Sequence, residues 1–131
     1  MASVFTKIIA GEIPSLKIFE DEHVLAILDI QPIHLGHVII FPKKEIDHFT
    51  DVPEPYFSSV HLASQKIGKA IRKVTGAPRV GTAVQGFEVP HFHLHLIPLW
   101  SPRDLDFTLG KKRSEAEMKK MHAELSAAME A

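Results

Sequence analysis

His91-Phe92-His93-Leu94-His95-Leu96-Ile97-Pro98 alternates imidazoles with apolar side chains, residue by residue. A period of two is the signature of a half-buried β-strand. Successive side chains on such a strand point to opposite faces, so Phe92, Leu94 and Leu96 share the core side. His91, His93 and His95 then share the other face, spaced roughly 6.6 Å apart. Histidine gains little from packing, and a solvated sheet face is more simply built from other polar residues. The row asks for chemistry, and the rest of the chain reads as the scaffold that holds it.

Working outward, Val4 to Ala10 carries Phe5, Ile8 and Ile9 at helical spacing and stops at Gly11, a short N-terminal helix. Leu16 to Glu20 and Val24 to Leu28 flank an Asp21-Glu22 turn and read as a hairpin. Asp29 closes the second strand; His37 to Phe41 is a third, ended by Pro42-Lys43-Lys44. Between Tyr56 and Val74 the period changes to 3.6, with Tyr56, Val60, Ala63, Ile67, Ala70, Ile71 and Val74 on one stripe and Gly76 just past the end. Arg79 to Gln85 is the fourth strand, 86–90 a loop, and His91 to Ile97 the fifth strand. Ser114 with Glu117 forms a capping box that opens a C-terminal helix with Met118, Met121, Leu125 and Ala128 on one side. Strands in groups with helices between them indicate an α+β fold with a five-stranded antiparallel sheet, one main helix, a short N-terminal helix and a C-terminal helix.

At 131 residues the chain is expected to be one domain, with a core at about 4–100 and a C-terminal loop and helix at 101–131. Fifteen Lys and Arg stand against sixteen Asp and Glu, which argues against a basic face for duplex nucleic acid. There is no cysteine, so disulfides and thiolate zinc sites are excluded. No leader pattern and no bilayer-length apolar run are visible, so no membrane partner and a cytoplasmic location are expected.

Two chemistries suit in-line imidazoles. Two of them at i and i+2 can share a zinc ion with a third ligand from elsewhere, although all three reach one tetrahedral ion only with difficulty. Alternatively, a neutral imidazole, with a pKa near 6.5, attacks phosphorus without an activating base. Its phosphorus–nitrogen adduct then serves as a covalent intermediate. His93, flanked on its own face by His91 and His95, is the natural nucleophile. Gly86 in the preceding loop lets backbone approach a phosphate. Asp29 either accepts from a ribose diol or simply forms a turn before Ile30-Gln31-Pro32.

The chain resembles the histidine triad (HIT) superfamily of nucleotide hydrolases and transferases, through His91-x-His93-x-His95 followed by two apolar residues. The likeness extends over Phe5 to Pro14, Ile18 to Asp21, Leu25 to Pro32 and Gly36 to Lys44. It implies release of a nucleoside monophosphate from a phosphoramidate or dinucleoside polyphosphate, through a nucleotidyl group on His93. By the same resemblance His95 contacts the α-phosphate and leaving group, and His91 and His37 support the site. Asp29 binds the ribose, and Val4, Phe5, Ile8, Ile27 and Ile30 line the base pocket, although packing alone would also explain these apolar residues. Gly86, Glu88 and Val89 belong to the nucleotide-binding loop. A purine nucleotide such as an AMP derivative is the implied substrate, with no cofactor, no metal and a homodimer formed through the main helix and a sheet edge. The alternatives are a non-catalytic nucleotide- or partner-binding protein and a metal-dependent phosphoesterase. His23, His34, His48, His61 and His122 match nothing catalytic and are expected at the surface.

Two departures stand out. Some family members hold a structural zinc through two cysteines, a histidine and a triad histidine; here Ser3, Thr6 and Glu45 occupy the first three positions. Phe87 and Glu88 replace the Gln and Ser or Thr usual in the phosphate loop. Glu88 can either turn its side chain away or recognise a cationic group on the substrate. Counting strand alternation back from His91 favours the first.

Overall fold

The computed structural model describes residues 2–130. Its elements, in order, are α1 (Val4–Ile9), β1 (Lys17–Glu20), β2 (Val24–Leu28), β3 (Val38–Pro42), α2 (Tyr56–Thr75), β4 (Arg79–Ala83), β5 (Leu94–Leu99) and α3 (Glu115–Glu130). The five strands form one sheet in the order β1-β2-β3-β5-β4, with every neighbouring pair antiparallel. This is the α+β architecture read from the pattern of periods.

Both faces of the sheet centre are covered, which is why β2 and β3 are apolar at almost every position. Val24, Ala26, Leu28, Val38 and Ile40 point to one face, against Val60, Ala63, Ile67, Ala70 and Ile71 of α2 and Leu125 of α3. Leu25, Ile27, Ile39 and Phe41 point to the other, against Phe5 and Ile8 of α1. Each fully buried aliphatic side chain contributes about 1.5–3 kcal/mol. The α2 stripe therefore outweighs its helix propensity in holding that helix to the sheet. Gly76 ends α2 at φ +74, with its N–H on the Arg72 carbonyl. The capping box of α3 is formed: Glu117 N donates to Ser114 Oγ at 3.1 Å and Ser114 N to Glu117 Oε1 at 3.2 Å.

One boundary differs in a way that matters. The sequence reading starts the fifth strand at His91, whereas β5 starts at Leu94. Ahead of it, His91 N donates to the Val89 carbonyl and Phe92 N to the Ile46 carbonyl, neither of them a ladder partner. The side-chain alternation survives the irregular backbone. Phe92, Leu94 and Leu96 lie in the α2 core, and the Phe5 ring of α1 meets His91 and His93 edge-on. No helix is long and apolar enough to cross a membrane among the described residues.

Candidate active site

His37, His91, His93 and His95 are all buried on the α1 side of the sheet. A buried imidazole needs partners, and the partners here fix each tautomer. His37 Nδ1 accepts the Ile33 N–H at 3.1 Å, so its proton sits on Nε2. That Nε2–H donates to His95 Nδ1 at 2.9 Å, which leaves the His95 proton on Nε2. His93 donates Nδ1–H to the His91 carbonyl at 2.7 Å, so its lone pair sits on Nε2. His91 donates Nε2–H to the Pro42 carbonyl at 2.8 Å, and its Nδ1 accepts from Ser3 Oγ at 2.7 Å. Four histidines thus form an ordered set, with one free nucleophilic nitrogen on His93 and one free donor on His95.

All four rings are held neutral. Burial is the largest cause in each case and pushes every one below the usual histidine value, His37 to about 4 and His95 to about 3. The mutual repulsion of His37, His93 and His95 lowers His95 further, and the Asp29 charge only partly opposes it. An imidazole kept neutral is a nucleophile across the physiological range.

His93 and His95, their ring centroids 5.0 Å apart, open onto a cavity of about 420 Å³. The cavity gathers Val4, Phe5, Ile8, Ile27, Asp29 and Ile30, and also Gly86, Glu88 and Val89. Every residue assigned to the nucleotide from the sequence therefore lines one concavity with two triad histidines. His91 and His37 do not line it; they stand behind, orienting the other two. The apolar wall is at once core and pocket: Phe5, Ile8 and Ile27 are buried, whereas Ile30 is 76% exposed at the rim. Asp29 forms the turn that the sequence allowed, and it also lines the cavity. Its Oδ1 caps the Gln31 N–H at 2.8 Å, while Oδ2 lies 3.4 Å from His37 Nε2.

Glu88 departs from the alternation count. Residue 88 lines the cavity, and its charge acts on His93. The count fails because residues 84–93 are not strand, so no pleat fixes the direction of residue 88. Three of the histidines expected at the surface are half-buried: His23 meets Tyr56 edge-on, His34 contacts Asp104 at 3.0 Å, and His122 Nε2 donates to the Lys17 carbonyl at 2.7 Å, joining α3 to β1.

The C-terminal segment supplies what the sequence reading missed. Phe107 packs its ring edge-on to His95, centroids 4.7 Å apart, and lines the cavity together with Gly110. A Cβ at Gly110 would fall 2.7 Å from the Gln31 carbonyl, so only glycine lets this segment lie so close against the loop after β2. That short glycine-ended aromatic stretch was the available signal, but nothing local connects it to the triad.

Asp29, His37 and His95 bring possible ligand atoms within 4.8 Å of one another. His37 Nε2 carries a proton, however, because its Nδ1 is committed to Ile33, so it offers no lone pair to an ion. The positions of the family's structural zinc are also brought together, but their donors do not fit that ion. Glu45 Oε1 accepts Ser3 N at 2.7 Å and Thr6 Oγ1 at 2.6 Å, and Ser3 Oγ is committed to His91. Neutral hydroxyls are poor zinc ligands beside Cys, His or carboxylate. The hydrogen bonds alone pin the start of α1 to the turn after β3. They hold the Glu45 carboxyl at about 2, well below the usual carboxylate range, with the Thr6 hydroxyl the largest cause.

The HIT domain profile matches residues 10–101. The chain is 41% identical over 110 residues to the protein named Hit of Bacillus subtilis, covering 77% of this chain and 73% of that one. It is 33% identical over 126 residues to an adenosine 5'-monophosphoramidase of Saccharomyces cerevisiae, covering 87% of this chain and 80% of that one. The crystal structure of a zinc-bound histidine triad family protein from Mycobacterium smegmatis superposes with a TM-score of 0.83 at 30% identity, covering 99% of this chain and 94% of that one.

Proposed function

Because this chain belongs to the histidine triad (HIT) family, we propose that it is a nucleotide hydrolase or transferase that releases a nucleoside monophosphate through a nucleotidyl group on His93. One observation carries the reading. His93 is the triad imidazole that both lines the cavity and keeps an uncommitted lone pair, on Nε2. With the base against Phe5, Ile8 and Ile27 and the ribose on Asp29, the α-phosphorus comes to His93. A P–N bond forms to Nε2 as the bond to the leaving group breaks, and the leaving group departs with the electron pair. The positive charge that develops on the His93 ring is stabilised through Nδ1–H on the His91 carbonyl. The neutral His95 Nε2–H donates to the leaving atom or a phosphate oxygen, where negative charge builds. Water then attacks phosphorus as the P–N bond breaks and its electron pair returns to Nε2; the proton that water gives up replaces the one the departing amine takes, and the monophosphate leaves with His93 restored.

An AMP phosphoramidate labelled at phosphorus tests this directly. The wild-type protein should acquire an acid-labile label, and His93→Ala should lose the label and about 10³-fold or more in turnover while still binding AMP. AMP binding by the wild type with neither label nor turnover would leave a nucleotide-binding protein on the same fold. Turnover abolished by a chelator would instead point to a metal-dependent phosphoesterase. We place the chain in the cytoplasm on the same reading, which fractionation of cells expressing it would check.

A further inference from the structure

We propose that Glu88, with Phe87 beside it at the mouth of the cavity, selects substrates whose leaving group carries a cation on an apolar stem. The inference rests on the nucleotide reading above and adds the class of leaving group. Its starting point is the charge of the cavity. The described residues that line it include two acids, Asp29 and Glu88, and not one Lys or Arg. His93 and His95 add no fixed positive charge, because burial keeps both rings neutral. A nucleotide phosphate entering this space meets like charge.

Asp29 has a use within the site, in its contacts with the Gln31 N–H and the His37 ring. Glu88 has none: it is exposed, and among the described residues it makes neither a hydrogen bond nor an ion pair. A carboxylate roughly 5 Å from a phosphate at an effective dielectric of 20 would weaken binding by about a hundredfold, and solvent screening at the rim reduces this to about tenfold. A cationic leaving group reverses the sign, because one ammonium can then face the phosphate and the carboxylate together.

Phe87 supplies the second half of the argument. It is 92% exposed, the most exposed large apolar side chain among the described residues, yet it lines the cavity. Gly86, at φ +83, makes the left-handed turn that presents Phe87 and Glu88 at the rim. An aromatic face next to a carboxylate fits an alkylammonium, with methylenes on the ring and the charge on the acid.

The test uses two AMP phosphoramidates of equal length, one made from a linear diamine and ending in ammonium, the other from the alkylamine isostere. Wild-type protein should favour the ammonium substrate in kcat/KM by about tenfold at low salt, mostly through KM, and less so as salt rises. Glu88→Gln should cut the preference to about twofold or less, in part by improving the neutral substrate. The dissociation constants of both compounds for His93→Ala, which retains them uncleaved, should show the same preference. Equal wild-type treatment of the pair, or a preference that survives Glu88→Gln, overturns the inference while leaving the hydrolase reading intact. If neither compound is cleaved by wild type, the hydrolase reading falls, and the two dissociation constants still decide the role of Glu88.

Discussion

Replacing His37 by leucine would test whether the triad works as a tautomer chain. His37 is fully buried and makes two side-chain contacts that matter: it accepts the Ile33 N–H and donates to His95 Nδ1. Leucine of similar size leaves little cavity, so the stability cost is mainly the orphaned Ile33 N–H, about 1–3 kcal/mol. The larger consequence falls on His95. Without the donor at Nδ1, the nearest polar partner is the Asp29 carboxylate at 3.9 Å, which draws the proton to Nδ1. The His95 lone pair then faces the substrate where an N–H stood. Losing a donor aimed at developing charge costs about 10²–10³ in kcat. The loss should be greatest for a phosphoramidate, whose amine is a poor leaving group, and less than about tenfold for adenylyl sulfate, whose sulfate carries its charge easily. Nitrogen NMR of ring-labelled protein reads the tautomer directly, and parallel turnover of the two substrates reads its effect. His37→Gln, which can still donate to His95, should fall between wild type and leucine. Equal losses on both substrates, or a His95 proton still on Nε2 in the leucine variant, would refute the reasoning.

The buried rings predict an acid limb of kcat/KM below pH 6.5, because the His93 nucleophile stays neutral further into acid than a free imidazole; a limb at 6.5 or above contradicts this. Stability follows the same sign. Below pH 6.5 the unfolded chain takes up protons that the folded one refuses, so stability holds above 6.5 and falls as pH drops from 6.5 towards about 4 for His37 and about 3 for His95. For His37 alone, at about 1.4 kcal/mol per pH unit, the loss is roughly 3 kcal/mol, measurable by urea unfolding across that window. Glu45→Ala should free the start of α1 and weaken AMP binding a few-fold by calorimetry, whereas Glu45→Gln, which keeps an acceptor for Ser3 and Thr6, should not; elemental analysis finding about one zinc per chain would refute this account of the cluster. We also propose a homodimer through α2 and the β4 edge, where Phe57, Leu62 and Val84 are exposed beside the outer edge of the sheet; sedimentation should give twice the chain mass, and Leu62→Glu should shift it towards the monomer.

What the sequence determined by itself are the features whose cause is local. Side-chain direction follows backbone period, so His91, Phe92, His93 and Leu94 disclose their faces without any partner, even though the strand proper begins only at Leu94. The stripe of α2, its Gly76 end and the Ser114 box of α3 are legible for the same reason, since each lies within a few residues of chain. Resemblance then located the pocket residues by position, and the cavity gathers them. Tertiary structure alone decided the rest, because each remaining fact joins groups distant in sequence. Whether His95 offers a donor or a lone pair depends on His37, 58 residues away. Ser3 reaches His91 across 88 residues, and Glu45 holds Ser3 from the turn after β3. Phe107 meets His95 only because the segment before α3 folds back over the loop after β2. Residue 88 comes to the cavity through a loop that has no pleat to assign it a side. Periodicity speaks for a residue's own backbone; a proton's place on a ring is settled by whichever groups packing brings to both of its nitrogens.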